Sequence, residues 1–195
     1  MIYECGKSFK NLLNVKYHFV ISVNRKIRHL TIDFQSEDFR HVSGLHYIDD
    51  ITIEKNPSKI INAILSNEIT DELLDKSSKY TMIIKDFGSV KERISEMCFL
   101  EEYLDKSDFI RIFQMQDFGS IIDAEYFIEA SNFNRHSTVY IFIRKRKEND
   151  TYVIVSFFKK HNAYNGQTTY WMHKVKEKGT AITELYKHPN YVISK

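Results

Sequence analysis

The feature that most constrains this chain is its last third. Thr138–Ile143 (TVYIFI), Tyr152–Phe158 (YVIVSFF) and Thr168–Val175 (TTYWMHKV) are dense in β-branched and aromatic residues. Such side chains suit a pleated, half-buried surface. The polar turn Lys147-Glu148-Asn149-Asp150 joins the first two runs and is short enough to require antiparallel pairing. Asn162–Gln167 (NAYNGQ) joins the last two. Just upstream, Phe109–Met115 (FIRIFQM) alternates and Ala124–Ala130 reads as extended. This part of the chain therefore predicts an antiparallel sheet.

The front of the chain adds a short helix over residues 4–14 and a hairpin. Lys16–Val23 (KYHFVISV) and Arg28–Phe34 (RHLTIDF) are its strands, and Asn24-Arg25-Lys26 is its polar turn. The middle is helical. Asn56-Pro57-Ser58-Lys59 is a helix start with proline in the first turn, and Ile60, Ile61, Ile64 and Leu65 follow at helical spacing. A short helix is expected over Thr70–Lys76 and a longer one over Ser89–Leu104 (SVKERISEMCFLEEYL). The fold class is α+β: an N-terminal helix and hairpin, a helical middle, and a C-terminal antiparallel sheet. A single domain over 1–195 is expected, with a helical segment at 57–106. No repeat or Ser/Gly/Pro linker divides it.

Composition excludes several classes. The chain is 43% apolar and 28% charged, with only 2 Pro and 6 Gly, so it is neither disordered nor fibrous. Cys5 and Cys98 form no C-x-x-C and no metal spacing, and are read as reduced thiols of a cytoplasmic protein. The N-terminus lacks the apolar run of a signal peptide, and no stretch approaches the ~20 apolar residues of a membrane span. Lys+Arg is 28 against Asp+Glu 26, a net charge of +2, so no overall basic excess points to nucleic acid. That sum hides an asymmetry. Acidic residues gather at Glu68–Asp75 and Glu92–Asp108, and basic residues after Arg135. A basic, aromatic sheet facing single-stranded RNA therefore stays open, with Arg144-Lys145-Arg146-Lys147 and Lys174, Lys176 and Lys178 on it. The competing view is that these are simply the solvent face of strands.

Two clusters carry polar chemistry. Arg40-His41-Val42-Ser43-Gly44-Leu45-His46 packs two His, one Arg and one Ser into seven residues beside a glycine. His carries protons near neutral pH, and Arg clamps phosphate. The plainer view is a turn with a capping Ser and two half-buried His. A metal site is weaker, since only Asp49-Asp50 would complete the ligands. Ser156-Phe157-Phe158-Lys159-Lys160-His161-Asn162-Ala163-Tyr164 runs off a strand end into a loop. There the lysines and His161 would meet phosphate, and Ser156 or Tyr164 would donate to a developing oxyanion. Its plainer view is a solvated basic edge. Kinase, P-loop, Rossmann, nucleophile-elbow and zinc-protease motifs are absent. Asp86-Phe87-Gly88 and Asp117-Phe118-Gly119 repeat a kinase triplet without its companions.

Taken together, two stretches carry a resemblance. Phe39-Arg40-His41-Val42-Ser43-Gly44-Leu45-His46 resembles an F-x-H-L-x-G-L pattern after an N-terminal strand pair, with Val42 where Leu is usual. Ser156-Phe157-Phe158 with Tyr164 resembles an S-F-F…Y pattern near the C-terminus. Both are similar to phage-associated nucleases of the barnase–EndoU–colicin–RelE superfamily, in particular its fourth phage-type family, over about residues 16–178. The resemblance implies a metal-independent RNase of phage or mobile-element origin, without cofactor. The ribose 2′-OH would attack the adjacent phosphate, which needs a base, an acid and cations on the phosphoryl oxygens. On this reading His41, Ser156 and Tyr164 are catalytic candidates, and Arg40, His46, Lys160 and Arg144 would contact substrate. The expected partner is RNA rather than a membrane, with an inhibitor protein and a homodimer as further options. A toxin or phage-defence role fits this reading. The alternatives are a non-catalytic RNA- or protein-binding module on the same fold, and a structural protein of a mobile element.

Overall fold

The computed structural model describes residues 1–84, 87–107, 109–114 and 121–192. Met115 and the Asp117-Phe118-Gly119 triplet lie outside the described residues. Helix α1 (Ile2–Leu12) leads into strands β1 (Val15–Val23) and β2 (Lys26–Ile32). Their two-residue turn sets Asn24 and Arg25 at φ 49° and 63°, the mirror-image turn that matches the twist of paired strands. Short helices follow: α2 (Asp38–Val42), α3 (Ile60–Leu65), α4 (Asp71–Leu74), α5 (Ser78–Thr81), α6 (Val90–Met97) and α7 (Leu100–Lys106). Strands β3 (Phe109–Ile112), β4 (Tyr126–Asn132), β5 (Ser137–Lys145), β6 (Tyr152–Lys159), β7 (Gln167–Thr168), β8 (Tyr170–Lys178) and β9 (Ala181–Lys187) complete the chain.

Among the described residues the strands form one mixed sheet in the order β7-β3-β4-β5-β6-β2-β1-β8-β9. The fold is the expected α+β arrangement, with one topological difference. The N-terminal hairpin does not stand apart from the C-terminal sheet but is built into it. Thus β6 and β8, joined by the 162–167 loop, are separated by β2 and β1. Hydrophobic alternation fixes which face a strand buries, but not its neighbour. The pairing of β1 with β8 from Val15/Lys178 to Ser22/Tyr170 is a long-range choice. Edge strand β9 also went unread, because it buries almost nothing and so carries no alternation.

The expected single helix over 89–104 is two helices. Ser89 caps α6 by accepting from the Glu92 amide, and the chain turns at Cys98–Phe99 before α7. Helix α6 packs on β6, whereas α7 packs on β4, two strands away. Because neighbouring strands are rotated against one another, one straight helix would not follow both. The turn is held by Tyr103, whose phenol donates to Glu96 Oε2 at 2.5 Å, and by Arg135, which lies 4.0 Å over the Phe99 ring.

The sheet is covered on both faces. Val139, Ile141 and Ile143 of β5 point into the main core with the helices, and Tyr140 and Phe142 point the other way. The second face holds an aromatic cluster of Phe87, Phe113, Phe127, Tyr140, Phe142 and Phe158. Much of the aromatic richness of the chain is therefore packing.

One feature of the sheet prepares the site. Strand β2 ends where β6 begins, and the two meet in a single parallel pair, Ile32 with Tyr152. The rest of β6 extends past β2. The space where β2 would have continued is taken by α2, with α6 beside it.

Candidate active site

A cleft of about 500 Å³ opens along this part of β6. Its polar wall is His41, His46, Arg93, Arg144, Asp123 and Ser156. Its apolar wall includes Phe87, Ile122 and Val155. A bulge in β6 between its pairings with Phe142 and Ile143 places Ser156 opposite Phe142, on the aromatic face. Bulges re-aim side chains in this way.

Helix α2 ends at Ser43, and Gly44 takes the left-handed conformation (φ 80°) that stops the helix and turns the chain into the 3₁₀ turn Leu45–Tyr47. The turn stacks three rings. His41 and His46 lie 4.4 Å apart and nearly parallel, and His46 and Tyr47 lie 3.9 Å apart. His46 Nδ1 also lies 3.4 Å from the Arg40 carbonyl.

His41 stands at the open mouth of the cleft. Crowding by protein lowers its pKa from the ordinary value, and the Arg93 charge lowers it further. A hydrogen bond donated to the Val155 carbonyl opposes both. His46 is pushed down to about 4, first by burial and then by His41 and Arg93. Both shifts favour the neutral ring, and a neutral His41 is able to accept a proton.

The His46 shift has a consequence for stability. Its folded pKa lies below the ordinary 6.5, so the unfolded chain takes up the extra proton first. Stability present above pH 6.5 is lost as the pH falls toward about 4. Melting temperatures across that window should fall, and His46→Asn should flatten the slope. An unchanged slope in the variant would contradict the burial argument.

Arg93 also lines the cleft, and no motif in the sequence marks it. It is 3% exposed, its Nε has no hydrogen-bond partner, and among the described residues no carboxylate pairs with it. Its guanidinium lies over the Tyr47 ring at 5.7 Å. Burial lowers its pKa from the usual arginine value. It rests on Gly44, where a Cβ would meet Arg93 Cδ at 3.2 Å and Nε at 3.4 Å. The glycine between the two histidines is thus the seat of a buried cation.

The other candidates divide. His41, His46, Ser156 and Arg144 line the cleft, and Arg144 is paired with Asp123 at its rim. Arg40, Lys160 and Tyr164 are not among the lining residues. The Arg40 Nε is buried without a partner beside the turn. Lys160 reaches Glu129 at 2.7 Å and lies over the Tyr140 ring. The Tyr164 ring packs 5.3 Å from both Tyr140 and Phe142, within the aromatic cluster behind the cleft. His161 pairs with Glu92 at 2.8 Å.

The expected basic face of the C-terminal sheet is largely neutralised. Lys176 contacts Glu101 and Asp105, Arg135 contacts Glu96, and Lys145 contacts Asp150. Lys174 is buried and donates to the Ser107 hydroxyl. Arg146 is enclosed between Asp33 and Asp38. The acidic middle and the basic end of the sequence fold against each other, so their asymmetry cancels in space.

With this geometry in hand, comparison with known families is decisive. The family model described as phage-Barnase-EndoU-ColicinE5/D-RelE like nuclease 4 matches residues 1–190. The chain belongs to this nuclease family. The match spans every strand described above and both stretches on which the resemblance rested. Neither a curated protein nor a solved structure matches the chain. No helix among the described residues is long and apolar enough to cross a membrane.

Proposed function

We propose that this member of the nuclease family is an endoribonuclease that cleaves RNA without a metal, by attack of the ribose 2′-OH on the adjacent phosphate. The observation that carries the reading is convergence. His41 and Ser156 lie 115 positions apart in the chain, and both line one cleft. Neutral His41 takes the 2′-OH proton as general base, the bond from phosphorus to the 5′-oxygen breaks as the 2′,3′-cyclic phosphate closes, and the leaving 5′-oxygen takes its proton from solvent water. Ser156 donates to a phosphoryl oxygen, and Arg144 supplies positive charge as the phosphorane forms. The cleft admits one nucleotide against its apolar wall, and Tyr164 packs on Phe158, which packs in turn on Phe87 of that wall.

The test incubates the purified protein with RNA in excess chelator and analyses the ends. Cleavage leaving 2′,3′-cyclic phosphate and 5′-hydroxyl termini is the expected result. Cleavage that requires a divalent cation would overturn the mechanism. RNA binding without cleavage would favour a non-catalytic module on this fold.

A further inference from the structure

A guanidinium buried without a carboxylate is an expensive arrangement, and an anion bound beside it would offset the cost that a neutral neighbour such as Tyr47 offsets only in part. Arg93 is such a group. It is 3% exposed, its Nε is unpaired, and it lines a cleft that has room for a ligand. Arg144 lines the same cleft, and its Nε is also buried without a partner. The carboxylate on the cleft wall, Asp123, is engaged with Arg144 and mostly exposed. The backbone is shaped for Arg93 too. Gly44 sits at φ 80° with its bare Cα face against the guanidinium, and any side chain there would crowd it.

The groups around the two histidines are known from every element packed on them. Arg40 and Asp38 come from α2, Tyr47 from the 3₁₀ turn, Arg93 from α6, Arg144 from β5, and Asp123 from the segment before β4. Among the described residues the arginines outnumber the acids. We propose that Arg93, seated on Gly44 and flanked by Arg144, forms a phosphate-binding subsite whose occupation drives proton uptake by the stacked His41–His46 pair. Coupling follows from linkage. The Arg93 charge disfavours a proton on either ring, and a bound phosphate offsets that charge. Phosphate must then favour protonation, and protonation must favour phosphate to the same degree. In the proposed reaction, on which this role of the subsite rests, the same device would carry the cleft from its proton-accepting state toward its proton-donating one.

The test uses inorganic phosphate and never reads RNA cleavage, so the subsite and the nuclease reading fail separately. Phosphate is titrated calorimetrically at pH 6 into the full chain, in two buffers of different ionisation heat, and sulfate, whose charge is fixed at this pH, is titrated in parallel so that proton uptake by the protein is read free of protons released by the ligand. Binding with net proton uptake is expected. Arg93→Met should weaken binding at least about tenfold, as expected for loss of a charge-assisted pair. Replacing an unpartnered buried charge by an apolar side chain of similar length preserves folding. A thermal melt checks this. Gly44→Ala provides a second variant that displaces the guanidinium without removing it, and it should also weaken binding. Histidine proton resonances should titrate at higher pH when phosphate is present. No binding up to about 10 mM phosphate, equal binding in both variants, or binding without proton uptake would each overturn the proposal.

Discussion

Replacing His41 by alanine is expected to lower RNA cleavage by about 10²–10⁴-fold, the usual weight of a positioned general base. The reasoning combines position with protonation state. His41 stands at the mouth of the cleft, and crowding and Arg93 favour its neutral form. The ring is exposed, so its removal leaves the core intact and the melting temperature close to that of the parent chain. Single-turnover cleavage of a short RNA at several pH values is the measurement. The parent rate should rise with pH through the His41 titration and then level, and the variant should lack that limb. A variant that retains the limb at near-parent rate would remove His41 from the mechanism.

The largest expected effect on stability lies at Arg146. Its side chain is 8% exposed and holds Asp33 at 2.8 Å and Asp38 at 2.5 Å, which are themselves 18% and 11% exposed. Arg146→Met should destabilise the fold by about 3–5 kcal/mol, because two carboxylates remain enclosed without their cation. For a chain of this size that corresponds to a drop in Tm of roughly 10 °C. Chemical denaturation should show a lower midpoint with the slope unchanged. The consequence extends to the cleft, since Asp38 opens the helix that carries His41. Combining Arg146→Met with Asp33→Asn and Asp38→Asn should recover much of the loss, as the stranded charges are then gone. Failure of that rescue would mean that Arg146 acts through packing alone.

How legible the molecule was depends on the range of the interaction concerned. Strand β1 was readable because half-burial writes alternation into neighbouring residues, and β5 and β6 because burial on both faces writes continuous runs of β-branched and aromatic residues. The α6–α7 break was not, because the apolar stripe continues across it, and what splits the helix is the angle between β6 and β4. The cleft was partly readable. The short run from Phe39 to His46 and the Ser156 stretch resembled known nucleases, and both reach the cleft. Arg93 could not be found in this way. Nothing near it in sequence marks it as different from Lys91 two residues away, and its significance arises only from Gly44, which lies forty-nine positions earlier.

Charge gives the clearest division. The sequence by itself determined an α+β chain, a helical middle between β-rich ends, and two polar clusters beside Gly44 and after Ser156. It also showed an acidic middle and a basic end. Only the tertiary structure decided that these regions pair with each other, through Glu96, Glu101 and Asp105 against Arg135 and Lys176. It decided as well that the N-terminal hairpin enters the sheet between β6 and β8. The physical reason is common to both. Periodicity and composition are set by what each residue buries locally, whereas strand order, ion pairing and a buried unpaired arginine depend on which distant segments share a surface.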